Sequence, residues 1–479
     1  MNYKYIRFIL GAVLIICGML MVLPCIVAVI YREREGLSLL ISCAICLLIG
    51  FLCFNKKPTR TNIYTKDSLI AVALSWITLG LFGALPFFIS GAIPNYIDAL
   101  FETVSGFTTT GSSILQSVED MPKCLLFWRS FTHWIGGMGI LVFMLALLPM
   151  TGGYQMNLMK AESPGPKVGK LVPKVQSTAK MLYFIYIVMT VLQIVLLIIA
   201  RMPVFDAVTI AFGSAGTGGF GVRNDSCGSY SSLQQMIIAV FILAFGVNFN
   251  VYFLILRGKI SDALSSEEVR GYFTIVLGSV AIITLSLIFK DKDPVYALRD
   301  SFFTVASIIT TTGFGTADFD KWPQIARTLL VCIMFVGACA GSTGGGMKVS
   351  RIMIMFKTVK KEIRHFLYSK NIEKIRFEKK IVEHEVIRSI NVFVMAYLFI
   401  YVTSFLLISL DGKDFTTNFT AVAATINNIG PGLGEVGATG NFSSYSWLSK
   451  LVLIFDMLAG RLELFPILML FVPKAWKKF

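Results

Sequence analysis

Four glycines mark the positions where this chain could do chemistry. Gly111 and Gly313 each close a Thr-Thr-Thr-Gly run, Gly219 closes Thr217-Gly218-Gly219, and Gly430 closes the more divergent TINNIG. Glycine reaches backbone angles that other residues avoid, so carbonyl oxygens beside it can be turned into one opening. Rings of backbone carbonyls replace the hydration shell of a cation, and four copies supply one ring. Threonine hydroxyls often do no more than bond their own helix carbonyls. Thr110, Thr312 and the Thr217-Gly218 pair nevertheless stand at matching places just before the glycines, which favours a cation-facing role.

The elements that must hold these segments show the same repetition. Thirteen places before three of the glycines stand Asp98, Asp206 and Asp300, and Thr417 takes that place in the fourth copy. Such residues cap helix N-termini. Each segment is therefore expected at the end of a short capped helix whose negative dipole end faces it. The glycines are 108, 94 and 117 residues apart, which divides the chain into units of about a hundred residues.

Composition says where these units sit. The chain has 479 residues, 55% of them hydrophobic and 15% charged, with mean hydropathy +0.73. Soluble proteins carry about 25% charged residues, so this is an all-α polytopic membrane protein. Most apolar runs exceed the roughly 18 to 20 residues that cross a bilayer. The run from residue 8 to Ile30 is longer than a signal core and lacks a convincing cleavage site. Irregular backbone at membrane depth is tolerated only where it lines a cavity or is buried in protein. The expected architecture is four pseudo-symmetric units of span, re-entrant short helix, glycine segment and span around one pore. Two extra N-terminal helices bring the total to about ten spans. Residues 1–66 hold the two extra helices, 8–30 and 37–54. Units follow at 67–151, 175–258, 268–358 and 386–479, with a polar segment at 359–385. The second helices of units one, two and four are read as continuous spans over 124–150, 233–256 and 447–472.

The formal charge is +15. Its distribution follows the positive-inside rule rather than a nucleic-acid footprint. Lys4 and Arg7, Lys56, Lys57 and Arg60, the lysines 160, 167, 170, 174 and 180, the segment 348–388 and the terminal KAWKK all fall on one side. Both termini are expected in the cytoplasm and the glycine segments on the opposite side. The nine cysteines lie mainly in apolar runs and read as small buried hydrophobes. Cys43 and Cys46 form a CxxC without a second pair, which argues against a metal or redox centre. The chain contains no HExxH and no GxSxG, and only three histidines, so no enzyme is expected.

Two further features bear on transport. Gly341, Ser342, Thr343, Gly344, Gly345 and Gly346 should break the second helix of unit three. They read as a flexible intramembrane gate just inside the filter, the alternative being close helix packing through small residues. GSTGGGMK resembles a phosphate loop but lacks its Gly-Lys-Ser/Thr ending. Arg461 lies within the last apolar run, where an uncompensated arginine costs roughly 2.5 to 3.5 kcal/mol. It reads as a barrier projecting into the pore, or as a structural partner of Asp456 or Glu463. Arg129, His133 and Trp134 read as an interfacial anchor.

Taken in order, TTTGSS, GTGGFG, TTTGFG and NNIGPGLG, with FWRSFTHWIGGMGI, GACAGSTGGGMKVSR and MLAGRLELFP, resemble the TrkH potassium uptake proteins of the TrkH/KtrB/HKT superfamily over nearly the whole chain. The resemblance implies a homodimer in the bacterial inner membrane, each subunit with its own pore. It places potassium at Thr110 and Gly111, Gly218 and Gly219, Thr312 and Gly313, and Ile429 and Gly430. It also assigns the gate to Gly341–Gly346 and a pore-obstructing arginine to Arg461. The transported ion would be K⁺, with no organic cofactor on this chain, and a TrkA-type ring of nucleotide-binding regulatory subunits would dock on the cytoplasmic face. Passive, channel-like conduction is expected, with sodium- or proton-coupled symport as the alternative. The second and fourth segments depart from TTTG, so the carbonyl ring departs from fourfold symmetry.

Overall fold

A backbone N–H or C=O without a partner costs several kcal/mol in a bilayer, and the chain answers by folding almost wholly into helices. The computed structural model describes residues 1–55, 64–139, 175–368 and 374–477. Lys56, Lys57, Arg60, the lysines 160, 167, 170 and 174 and the end of the expected 124–150 span lie outside them. The strands among the described residues form one antiparallel hairpin, Arg376–Phe377 with Lys380–Ile381. Among the described residues six helices are long and apolar enough to cross a membrane, and a bent pair would make a seventh. Leu192, Val195, Leu285, Phe399 and Leu406 on these helices point outward, as they should in a multi-pass membrane protein whose outer solvent is lipid.

The first and third helices in chain order, Tyr3–Leu20 and Gly36–Phe54, pack through small residues. A Cβ at Gly11 would lie 2.6 Å from the Phe54 backbone nitrogen. The Cys43 thiol donates to the Gly18 carbonyl at 3.1 Å. The remaining chain repeats one arrangement four times. Each unit has a long helix, then a short helix ending at a glycine segment, then a half-length helix. The short helices are Tyr96–Phe107, Val204–Gly216, Pro294–Ile309 and Phe415–Ile426. The half-length helices are Lys123–Gly137, Ser232–Phe245, Gln324–Val336 and Trp447–Arg461.

Two expectations are corrected here. The residues thirteen places before the glycines are not caps. Asn95, Pro203, Asp293 and Asp414 hold the N-cap positions, and Asn95, Asp293 and Asp414 accept backbone N–H groups there. Asp98, Asp206 and Thr417 sit inside the first turn. Asp300 sits deeper, because its helix begins at Pro294, a turn earlier than the repeat predicts. Thr417 donates its hydroxyl to Asp414, which holds that carboxyl below its ordinary range. The second helices of units two and four, expected to be continuous, are broken. Unit two bends by 91° between Phe245 and Phe249, and unit four stops at Arg461, with Glu463 and Leu464 at positive φ.

Candidate functional site

The four short helices end in one backbone motif. The residue after each helical end is left-handed or precedes a left-handed one: Thr109 (φ 55°), Thr217 (54°), Thr311 (59°) and Asn428 (55°). The next N–H then bonds five residues back, Thr110 to Ser105, Gly218 to Gly213, Thr312 to Ser307 and Ile429 to Ala424, each at 2.8 Å. This is the Schellman closure of a helix C-terminus, usually made with glycine. Three of the four copies place a β-branched threonine there, a conformation that costs of order 1 to 3 kcal/mol and that clusters at functional sites. The following glycines continue at φ of 82°, 80°, 81° and 100°.

The absence of Cβ on these glycines closes the four segments into a ring. A Cβ on Gly111 would collide with the carbonyl oxygen of Gly218, one on Gly219 with that of Thr312, and one on Gly313 with that of Ile429. A Cβ on Gly430 would come within 2.8 Å of the Thr110 carbonyl oxygen, which returns to the first segment. Each unit therefore packs its glycine on the carbonyl preceding the next unit's glycine, in the order one, two, three, four. The eight residues named from the sequence, Thr110, Gly111, Gly218, Gly219, Thr312, Gly313, Ile429 and Gly430, meet around one axis.

The ring is braced from behind. Arg129 and Glu102 form a fully buried ion pair at 2.6 Å. Arg129 also donates to the Gly221 carbonyl at 3.0 Å and lies 3.5 Å from the centre of the Phe220 ring. Glu102 accepts from the Ser113 hydroxyl and from Ile114 N–H at 2.9 Å. One pair thus ties the first short helix to the extended segments leaving the first and second glycines. His133 stacks on Phe220 at 4.2 Å and packs against Gly218. Arg129 and His133 are therefore core residues and not the interfacial anchor expected of them, because the short helix supplies Arg129 with a buried carboxylate. In the fourth segment Asn428 donates to the Thr110 hydroxyl and to the Met457 carbonyl, both at 2.9 Å. The acids at the outer ends of the short helices are paired: Asp98 with Lys450 at 2.6 Å, Asp206 with Arg223 at 3.1 Å and Asp300 with Lys292 at 2.7 Å.

Inside the ring lies the loop that interrupts unit three, between Val336 and Val349. The Thr311 hydroxyl accepts from Gly345 N–H at 2.6 Å. Gly344 approaches the Thr310 carbonyl so closely that a Cβ would stand 2.8 Å from it. Gly341 accepts from Phe249 N–H at 3.0 Å, at the break in unit two. Lys348, buried and at φ 77°, donates to the Gly344 carbonyl. Arg461, the last residue of its half-helix, donates to the Thr343 carbonyl of unit three at 2.9 Å. Its other nitrogen donates to Gly136 and Gly137 of unit one at 2.5 and 2.8 Å. Units one and three face each other across the axis, so this side chain bridges the space beneath the ring. Of the partners expected for it, Glu463 pairs with Arg351 and Asp456 accepts from Ser404 at 2.6 Å.

A family model described as a cation transport protein, TrkH, matches residues 38–478. The chain belongs to the TrkH family. The Trk system potassium uptake protein TrkH of Salmonella typhimurium is 37% identical to it over 100% of both chains. Escherichia coli (strain K12) TrkH is 36% identical, again over the whole of both. A crystal structure of the potassium transporter TrkH from Vibrio parahaemolyticus superposes with a TM-score of 0.89 at 33% identity, with both chains fully covered. In this TrkH-family chain the sequence motifs located the ring, the loop and Arg461 but passed over Glu102, Asn428, Lys348 and Glu268. A signal for Glu102 was present: it lies one helical turn after Asp98 in an otherwise apolar helix, where a carboxylate needs a buried partner.

Proposed function

We propose that this protein is a potassium-selective, channel-like uptake pathway of the bacterial inner membrane. The observation that supports it is the closed ring of Thr110, Gly218, Thr312 and Ile429 carbonyls, each seated against a neighbouring glycine. Four helix C-termini aim their negative ends at that ring, which favours a dehydrated cation without a fixed charge. Residues 341–346 act as the gate beneath it and Arg461 as a barrier across it. The chain works as a homodimer with a cytosolic ring of TrkA-type nucleotide-binding subunits. Family membership supports this reading, and so does the potassium uptake activity in the names of the relatives.

The test is rubidium and sodium entry into liposomes under an inside-negative potential, which supplies about 2.3 kcal/mol per charge per 100 mV. With no sodium or proton gradient, rubidium should enter and be competed by potassium. The second reading, coupled symport, has one observation in its favour. Asp456 is fully buried behind the fourth segment, and its second carboxyl oxygen meets no partner among the described residues. Rubidium entry that requires a sodium or proton gradient would select that reading.

A further inference from the structure

One carboxylate holds both ends of the loop in unit three. Glu268, buried at the inner end of helix Glu267–Ile288, accepts Ala340 N–H at 2.7 Å and Ser350 N–H at 3.2 Å. Ala340 immediately precedes the 341–346 stretch and Ser350 follows Lys348, so a single side-chain oxygen pins the two flanks together. Hydrogen bonds to an ionised acceptor are about twice as strong as neutral ones. Thr311 and Arg461 hold the middle of the loop, while at its flanks Glu268 acts beside two backbone bonds, Val349 N–H to the Ala338 carbonyl and Cys339 N–H to the Gly246 carbonyl, both at 3.1 Å.

The same helix end is held from the cytoplasmic side. Glu378, in the turn of the 376–381 hairpin, accepts the Ser266 hydroxyl at 2.7 Å and the N–H of Glu268 itself at 3.0 Å. The N–H of Glu378 returns to Glu267 at 3.3 Å. Lys357 joins Glu267 to the Arg376 carbonyl, the latter at 2.8 Å. Glu378 and Lys379 both have positive φ, at 51° and 61°, which makes the turn a tight two-residue hairpin whose twist fixes the carboxylate relative to its strands. A hydrogen-bonded path therefore runs from an exposed hairpin, through three consecutive residues at a helix start, to both flanks of the loop.

We infer that Glu268 is the positioning residue that keeps the loop closed, and that the 376–381 hairpin is the handle through which a cytosolic event reaches it. The inference rests on the reading of residues 341–346 as the gate. Neither carboxylate touches the glycine ring, so conduction should change and selectivity should not.

Rubidium influx is measured for the full chain in liposomes as wild type, Glu268→Gln, Glu378→Ala, the double variant, and a variant lacking residues 343–345. Glu268→Gln should raise influx about tenfold, the scale of one hydrogen bond to a charged group, with the rubidium-to-sodium ratio unchanged. Glu378→Ala, an exposed change that leaves the core intact, should raise influx by less. The double variant should equal Glu268→Gln alone, because both act on one path. If the loop deletion raises influx and Glu268→Gln does not, the clasp is wrong. Independent, multiplying effects of the two substitutions would remove the hairpin from the path. A loop deletion without effect would instead overturn the gate reading on which both stand.

Discussion

A side chain has nowhere to go at Gly313. Its φ of 81° is strained for any L residue, and a Cβ would meet the Ile429 carbonyl and, at 2.8 Å, the Pro431 ring. The substitution Gly313→Ser must push one oxygen out of the ring at a cost of order 1 to 3 kcal/mol. If this oxygen binds the permeating ion, the rubidium-to-sodium ratio should fall by about tenfold or more while the protein still purifies folded. An unchanged ratio would take Gly313 out of the filter. Arg129 lies behind the ring and reaches it indirectly. Arg129→Lys keeps the charge but loses the planar fork that serves Glu102 and Gly221 together. The pair is weakened rather than broken, so the loss should fall below the about 3 to 5 kcal/mol of removing one partner; thermal stability should still drop, and sodium entry should rise relative to rubidium. Lost stability with an unchanged ratio would make the pair purely structural. The glycines were legible in the sequence because the motif repeats. The Glu102–Arg129 pair was not, since its members lie 27 residues apart in different helices and only the packed short helix brings them together.

At the scale of elements, apolar runs gave the helices but not where they break. A run suited to lipid looks the same whether it continues straight or turns, and Ser232–Phe245 with Phe249–Leu256 turns by 91° at a site marked by a single glycine, Gly246. Only unit three, with its cluster from Gly341 to Gly346, announced its break. The caps were misplaced for a related reason: the repeat fixed an offset, while the local choice among Asn95, Asp98 and their neighbours depends on which side chain reaches the free N–H groups. The half-helix ending at Arg461 shows what the breaks accomplish, because a cation at a helix C-terminus is favoured by the dipole and here stretches to carbonyls of two opposite units. Arg461→Ala should remove the bridge and raise rubidium influx about tenfold. Arg461→Lys should fall between the two, having one charge but no fork. Lower influx in a well-folded Arg461→Ala protein would mean that the bridge holds the pore in shape rather than obstructing it.

For the whole molecule, the two chain ends meet, a relation that no single helix reports. The Met1 amino group donates to the Lys477 carbonyl at 3.2 Å, Lys66 donates to the same oxygen at 3.1 Å, and the Tyr3 hydroxyl donates to Trp476 at 3.0 Å. The N-terminus, the start of unit one and the end of unit four therefore share one face, opposite the glycine ring's outer mouth where Lys413, Glu435 and Ser444 cluster. Among the described residues Lys66 and Lys477 lie on the face of the termini, with Lys4 in the first turn of the first helix, and positively charged segments are retained in the cytoplasm, which predicts that this face is the inner one. Ser444→Cys and Glu362→Cys, both at exposed positions, test this orientation with a membrane-impermeant thiol reagent applied to intact cells, the parent chain serving as the blank. Ser444→Cys should label at once and Glu362→Cys only after permeabilisation. The reverse pattern would turn the molecule over. The ring would then face the cytoplasm and the loop the outside, and an inside-negative potential would drive cations through the loop before they met the ring.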